Sequence, residues 1–261
     1  MELGPFTFWE LLTCVVVVSV LVSVVGVWYS HRRLSGRVSE GHNDVIVPIY
    51  ATAGVIYAVL LAFIVIAVWE AFTASTETVA DEASALATMY RQSVALPNPE
   101  RGALREELRT YTDAVIGREW KEQEHGGTSS AARTAIVNMY RTVGDQPSRV
   151  LSNPVNVQVL QEIGTVASDR NKRTLSSQEN LPWVLWLALI VGDVVLIVMS
   201  FLLYMSNAWM HAICAALVAA MTGVLLFITL VLNHPFQGKL GIRPDAFEHS
   251  AKLYDQVDQT P

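Results

Sequence analysis

The feature that most constrains this chain is an apolar run from Val45 to Trp69 that continues into a polar, acidic segment. At 1.5 Å per helical residue the run is about 37 Å long, more than the roughly 30 Å hydrocarbon core of a bilayer. No Gly or Pro interrupts the chain from Val55 to Leu96, and an apolar stripe from Val79 to Tyr90 continues at helical spacing. The sequence therefore predicts one long helix that crosses a membrane and leaves it as a rigid rod.

The apolar residues of the chain are collected into four blocks rather than scattered. The chain is 52% hydrophobic and only 16% charged, and the blocks cover Phe6 to Tyr29, Val45 to Phe72, Leu181 to Met205 and Trp209 to Leu232. Each block is long enough for a transmembrane helix. The first block lacks the basic N-terminal region and the small-residue cleavage site of a secretory signal peptide. It is therefore predicted to be an uncleaved transmembrane span.

These blocks divide the chain into four parts and predict an all-α membrane protein. Residues 1–72 form one transmembrane hairpin, 73–180 a helical soluble insert continuous with span two, 181–232 a second transmembrane hairpin, and 233–261 a short C-terminal tail. In the insert, apolar periodicity predicts helices near 103–120, 129–143 and 156–168. In the tail it predicts a helix that starts near Asp245.

Four acids follow the second span closely. Glu70, Glu77 and Asp81 fall near one helical face, with Glu82 beside them. In a ring of subunits they would form a negatively charged mouth that concentrates cations. The alternative is that they only solvate the first helical turns outside the lipid.

Within the second span two patterns suggest roles in assembly and gating. Gly54, Ala58 and Ala62 recur every four residues, which lets another helix approach closely. Apolar residues such as Ile64 or Val68 could gate a pore by dewetting. The tyrosine Tyr57, with Tyr50 seven residues before it, is a candidate pore contact, although such a pair more often packs.

Polar residues at the ends and centre of the spans are further candidates for ion contact. His42, Asn43 and Asp44 open the second span, where they either cap the helix or contact ions. Asp193 lies near the middle of the third span, where a carboxylate costs roughly 3 kcal/mol unless it faces the bundle interior or water. It is therefore either an ion or proton site or a structural acid that pairs with a hydroxyl such as that of Thr222.

Other classes of function find no support in the sequence. The chain has no P-loop, no dinucleotide fingerprint and no catalytic or zinc-binding motif, so no enzymatic activity, cofactor or metal is predicted. The net charge of −6 and the absence of a long basic run give no indication of nucleic-acid binding. Both cysteines, Cys14 and Cys214, fall inside predicted spans and are expected to be packing residues.

Basic residues give a weak indication of orientation. Arg32, Arg33 and Arg37 follow the first span, and the positive-inside rule places such a loop in the cytoplasm. The tail after the fourth span carries three basic residues on the opposite side. Because the arginines crowd the first span, the charges favour an N-terminus and an insert outside the cytoplasm.

Several local sequences resemble the bacterial bestrophin-like domain family across nearly the whole chain. They are His42-Asn43-Asp44, Gly54 to Phe63, Val68 to Phe72, Tyr90-Arg91 and His234-Pro235-Phe236-Gln237-Gly238. The resemblance implies a distant relation to bestrophins, which are oligomeric ion channels whose second span lines the pore and whose soluble helices extend it. In bestrophins the soluble part is cytoplasmic, opposite to the orientation that the arginines favour.

The sequence thus predicts a multi-pass ion channel of the bacterial cytoplasmic membrane. It would assemble from four or five copies among membrane lipids, conduct inorganic ions with a preference for cations, and line its pore with span two. The alternative is a non-conducting scaffold or sensor whose helical insert recruits a partner. A proton-coupled transporter that uses Asp193 is a weaker possibility, because the chain lacks obvious internal repeats.

Overall fold

The computed structural model describes residues 8–34, 41–124, 127–144 and 154–259, and in these residues it contains helices and no strands. The principal helices are α1 (Phe8–Leu34), α2 (His42–Gln92), α3 (Glu100–Ala114), α4 (Trp120–Gln123), α5 (Ser130–Gly144), α6 (Pro154–Ser176), α7 (Trp183–Leu202), α8 (Ala208–Leu232) and α9 (Asp245–Gln259). The long uninterrupted helix predicted from the sequence is confirmed, because α2 runs for 51 residues.

Four of the helices are long and apolar enough to cross a membrane: α1, α2, α7 and α8. They coincide with the four apolar blocks of the sequence. The predicted start of the first span, at residues 6–7, and the loop arginine Arg37 lie outside the described residues. We refer to the membrane-length parts of these four helices as the span bundle.

Within the span bundle, helices pack in an order that differs from their order along the chain. α1 packs mainly against α8 and then against α7, whereas α2 packs against α7 and α8. The ring of Phe201 fills the space beside Gly26, where a side chain on α1 would collide with it. The predicted arrangement in two hairpins is not confirmed by these contacts.

Hydrogen bonds between distant residues fix the two ends of the span bundle. At one end, Ser30 Oγ donates to the Phe201 carbonyl at 2.5 Å, and Asn43 Nδ2 donates to the Tyr204 carbonyl at 2.7 Å. At the other end, the Leu181 amide donates to Asn233 Oδ1 at 2.7 Å. The connection between α7 and α8 therefore lies beside the end of α1, whereas the start of α7 and the end of α8 lie at the opposite end.

The rest of the chain forms a second bundle with its own apolar core. It contains the part of α2 after Phe72 together with α3, α5, α6 and α9. The fully buried side chains at its centre include Leu86, Met89, Leu104, Leu108, Met139, Ile163 and Phe247. One rigid helix, α2, thus takes part in both bundles and couples them mechanically.

The helices of the second bundle follow the predicted periodicity with two differences. The helix predicted near 103–120 contains a π-helical turn, Val115–Glu119, between α3, which ends at Ala114, and α4. The helix predicted near 156–168 is longer, since α6 continues to Ser176. The tail helix begins at Asp245, as expected, and extends for 15 residues.

The tail helix α9 closes the second bundle. Phe247 is fully buried, and the Tyr254 ring stacks on the Tyr90 ring with 4.2 Å between centroids. Asp258 accepts hydrogen bonds from Arg105 at 2.6 Å and from Arg109 at 2.9 Å. These contacts hold the aromatic face of the tail against α2 and α3.

Candidate conduit face and buried polar sites

One face of α2 is largely exposed in the single subunit. In the span bundle this face carries Val55, Val59 and Ile66, which are 64%, 51% and 53% exposed. Farther along the same stripe, Glu70 and Glu77 are also exposed. The spacings of four and seven residues place these side chains in one row, which we call the outer face of α2. It is apolar at membrane level and acidic beyond it.

Three residues predicted to contact a pore lie on the opposite face of α2. Tyr57, Ile64 and Val68 are only 5%, 4% and 5% exposed. Tyr57 and Ile64 belong to an apolar cluster with residues of α7 such as Leu189. Two residues of helix correspond to a rotation of about 200°, so Ile64 faces inward where Ile66 faces outward. Ile64 and Val68 were predicted to face a pore, but both side chains are buried inside the subunit and lie on the face opposite the exposed one.

The other acids predicted at the mouth separate into two groups. Asp81 is exposed, like Glu70 and Glu77, and so is Asp44 at the opposite end of the span. Glu82, by contrast, has no exposed surface at all. Its place at a charged mouth is incorrect, because it points into the core of the second bundle.

Glu82 belongs to a buried charge network that also contains Arg173. Arg173 donates from Nε to Glu82 Oε2 at 2.8 Å and from Nη2 to Glu82 Oε1 at 3.1 Å. The Tyr111 hydroxyl donates to Glu82 Oε1 at 2.5 Å. Arg173 also donates through Nη1 to Gln123 Oε1. Both Glu82 oxygens are thus satisfied without water, and α2 is joined to α6.

A second carboxylate, Glu119, completes this network. It accepts hydrogen bonds from Arg170 Nη2 at 2.6 Å, from Arg173 Nη2 at 2.8 Å and from the Ser129 amide at 3.0 Å. Two arginines and two carboxylates are therefore sealed together with equal and opposite charge. A balanced and fully hydrogen-bonded set is the form in which buried charge is tolerated.

The network changes how its members ionise. Burial alone would raise the pKa of Glu119, but the hydrogen bonds from Arg170 and the charge of Arg173 outweigh it and lower the pKa. Burial would lower the pKa of Arg173, yet the charge of Glu82 raises it. Burial and the Glu82 charge both hold the pKa of Tyr111 well above its ordinary value. Glu119 and Arg173 therefore stay ionised at neutral pH.

The lowered pKa of Glu119 predicts a loss of stability in acid. Its stabilisation is fully present above the unfolded pKa, about 4.3, and is lost as the pH falls through the lower folded pKa. The protection factors of the α6 amides in detergent, which correct for the intrinsic pH dependence of exchange, should therefore fall steadily below about pH 4.3. Glu119→Gln should exchange faster at pH 7 and show a weaker acid dependence. An acid dependence unchanged by Glu119→Gln would contradict this assignment.

The opening residues of α2 do not cap it. The N-cap is Gly41, without a side-chain hydrogen bond to the helix. Asn43 instead bridges to the connection between α7 and α8, because its Oδ1 also accepts from the Tyr204 amide at 2.9 Å. The Nε2 atom of His42 is buried without a partner. The predicted capping role is thus replaced by a clamp between two helix ends.

The small-residue stripe of α2 meets no helix of its own chain. Ala58 and Ala62 are exposed, and no atom lies within 4 Å of the position that a side chain on Gly54 would take. All three line a groove of about 490 Å³ between α2 and α8. The close helix contact that this pattern predicts is absent within the described part of the subunit.

The motif after the last span anchors the chain in the second bundle. Phe236 is 3% exposed and meets the Trp120 ring edge-on at 5.9 Å. The Pro235 carbonyl accepts from the Ile242 amide at 2.7 Å, and the His234 amide donates to the Val231 carbonyl. These contacts of Pro235 and Phe236 fix the exit of the chain from α8.

Asp193 lies inside the span bundle and is 7% exposed. Its Oδ1 atom has no hydrogen-bond partner, and neither has the hydroxyl of Tyr57, which is also buried. Thr222 on α8 interacts with the Asp193 carboxyl. The described residues hold no cluster of three or more metal-binding side chains.

This architecture has relatives in sequence and structure. The family model of the bestrophin-like domain matches residues 17–247. The chain belongs to the bestrophin-like domain family. No curated protein matches the sequence of this bestrophin-like chain.

Among solved structures, a bacterial bestrophin homologue from Klebsiella pneumoniae superposes with a TM-score of 0.72. The two sequences are 14% identical over 95% of this chain and 98% of the homologue. A crystal structure described as a membrane protein gives a TM-score of 0.76 at 14% identity, covering 95% and 98% of the two chains. At these identities the likeness shows that the chain has the bestrophin-like fold.

Proposed function

We propose that this bestrophin-like chain assembles into a homo-oligomeric ion channel in which the outer face of α2 lines the conduit. The observation that carries the proposal is the continuity of this face. It runs along one 51-residue helix, uncovered by its own chain, from the apolar span to the acidic row beyond it. A ring of four or five subunits would bring these rows around a common axis.

Assembly would also cover apolar surface that one subunit leaves open. The stripe of Gly54, Ala58 and Ala62 allows a helix of the next subunit to approach closely. Membrane lipids would cover the remaining exposed apolar side chains of α1, α7 and α8. Bestrophins, which this chain resembles, are oligomeric channels whose second span lines the pore.

The acids of the outer face favour cations as the permeant ions. Glu70 and Glu77 lie on the outer face, and Asp81 is exposed on the next turn. Repeated around an axis, they would form negative rings that attract inorganic cations and repel anions. Glu82 takes no part in this, because Arg173 neutralises it inside the bundle.

At membrane level the conduit would be closed by apolar side chains. Val59 and Ile66 present no hydrogen-bonding group, so a narrow ring of them excludes water and ions unless it widens. We expect Ile66→Ser to raise the open probability at least about tenfold, because the serine hydroxyl keeps the constriction wet. Single-channel recording in planar bilayers measures this directly. The matched control is Val191→Ser on α7, where the side chain is 51% exposed and lies off the outer face.

The same apolar row supports the alternative of a non-conducting scaffold, because such a row could pack shut permanently. The second bundle would then serve to recruit a partner. Bilayer recordings separate the two proposals. Silence of the purified wild-type protein and of Ile66→Ser, across voltages and pH values, would overturn the channel and favour the scaffold.

We further propose that the protein lies in the bacterial cytoplasmic membrane with the second bundle on its outer side, away from the cytoplasm. Arg32 and Arg33 lie in the last turn of α1, and the Arg32 guanidinium stacks 3.5 Å from the centroid of Trp28. Their positive charge favours the cytoplasm for this end, which places the second bundle on the outer side. Single cysteines, Ser206→Cys or Lys252→Cys in a cysteine-free chain, report the orientation. If an impermeant maleimide labels only Lys252→Cys on intact cells, the proposed orientation is supported. If it labels only Ser206→Cys, the orientation is the reverse.

A further inference from the structure

Asp193 has no positive partner anywhere in the span bundle. The apolar stretches of α1, α2, α7 and α8 contain no Lys or Arg between residues 9–29, 45–69, 183–202 and 208–232. An ionised carboxylate at this depth is expensive unless a counter-charge neutralises it. Asp193 therefore needs either a proton or a bound cation.

Side chains from three helices bring oxygen atoms to this point. Tyr57 of α2 lies with its ring directly against Gly192, where an added Cβ would come within 2.5 Å of the ring. Gly192 directly precedes Asp193 in α7, so Tyr57 packs against the turn of α7 that carries Asp193. Thr222 of α8 interacts with the same carboxyl and lines the same groove as Tyr57. The three side chains are at least 93% buried.

The hydrogen bonding of this group is incomplete. Asp193 Oδ1 and the Tyr57 hydroxyl are both buried without partners. Thr222 Oγ1 donates at 3.3 Å to the Ala219 carbonyl of its own helix. Buried polar atoms are almost always paired, so two unpaired oxygens on side chains of neighbouring helices indicate that something binds between them.

We propose that Asp193, Tyr57 and Thr222 form a sodium site inside each subunit. The donor set consists only of oxygens, which hard cations prefer, and the single carboxylate matches a single positive charge. The site holds a proton on Asp193 when sodium is absent, and sodium displaces that proton. Tyr57 is the titratable side chain that faces Asp193, Thr222 does not titrate, and α1 carries titratable groups only in its first and last two turns.

This site lies apart from the conduit proposed above. Tyr57 is on the buried face of α2, opposite the outer face. Sodium bound here would tie α2 to α7 and α8 and so set the position of the helix that carries the outer face. The inference does not rest on conduction, because it concerns binding within one subunit.

The test is sodium-dependent thermal unfolding of the purified full-length protein. At constant ionic strength, replacing N-methyl-D-glucamine chloride with sodium chloride should raise Tm by about 4 °C at tenfold the Kd. The shift should vanish in Asp193→Asn and shrink in Tyr57→Phe and Thr222→Val. Thr52→Val on the exposed side of α2 is the matched control and should keep the full shift.

Infrared difference spectroscopy gives an independent readout if a variant folds poorly. Sodium should remove the carbonyl band of one protonated carboxyl from the wild-type spectrum, and Asp193→Asn should lack that band. A Tm that ignores sodium, a sodium shift that persists in Asp193→Asn, or a carboxyl band unchanged by sodium would each overturn the site. None of these outcomes bears on whether the protein conducts.

Discussion

Replacement of Arg173 by Met is expected to destabilise the second bundle by about 3–5 kcal/mol, the usual cost of removing one partner from a buried ion pair. The change leaves Glu82 and Glu119 facing each other in an apolar core with only Arg170 to neutralise them. It also removes the guanidinium that lies 5.4 Å from the Trp120 ring. Urea unfolding in detergent, followed by hydrogen exchange of α3 to α6, measures the loss.

The same network predicts a non-additive rescue. Arg173→Met combined with Glu82→Gln restores equal charge, because one arginine and one carboxylate remain. We expect the double variant to be more stable than Arg173→Met alone, as coupled groups give large interaction energies. Arg141→Met on the exposed side of α5 removes the same charge from the surface and should cost little. Simple additivity of the two changes would show that the network does not act as a unit.

The sequence predicted the long elements of this fold well because each has a strong and local signal. The absence of Gly and Pro from Val55 to Leu96 predicts the long helix directly, and the four apolar blocks predict the four spans in the same way. The break after Ala114 has no comparable signal. π-Helical turns are rare, and this one is accompanied by tertiary contacts such as the hydrogen bonds of Glu119, which periodicity does not show.

The buried charge network was missed although the sequence carries a trace of it. Arg170 and Arg173 continue the apolar stripe of α6 through Val159, Ile163 and Val166 at spacings of three and four. Glu82 likewise falls between apolar positions of the buried stripe of α2. A charged residue on a stripe otherwise reserved for the core indicates a buried partner, but only the packed helices reveal which one.

The face of α2 that one subunit leaves uncovered could not be chosen from the sequence either. Nearly every residue of the span is apolar, so hydrophobic periodicity cannot distinguish Ile64 from Ile66. The distinction arises from the packing of α7 and α8 against Tyr57 and Ile64. Among the acids beyond the membrane, Glu70, Glu77 and Asp81 are exposed and Glu82 is buried, a difference that the sequence does not show.

Neutralising Glu70 and Glu77 together is expected to have the largest effect on conduction. If the outer face lines the conduit, Glu70→Gln/Glu77→Gln removes two negative rings that concentrate cations, and conductance in dilute salt should fall about tenfold. The fall should shrink near 1 M salt, where the Debye length is only about 3 Å. Single-channel conductance over a series of sodium chloride concentrations measures both effects, and the reversal potential in a salt gradient reports the lost cation preference.

The control variant for this experiment has the same net charge as Glu70→Gln/Glu77→Gln. Glu106→Gln/Glu248→Gln removes two exposed carboxylates from α3 and α9, away from the outer face. Its conductance should stay near the wild-type value at every salt concentration, since scattered surface charge beyond a Debye length is screened. Equal losses in both double variants would mean that only the total charge matters. A channel whose conductance and reversal potential ignore Glu70 and Glu77 would place its ions along another route than the outer face of α2.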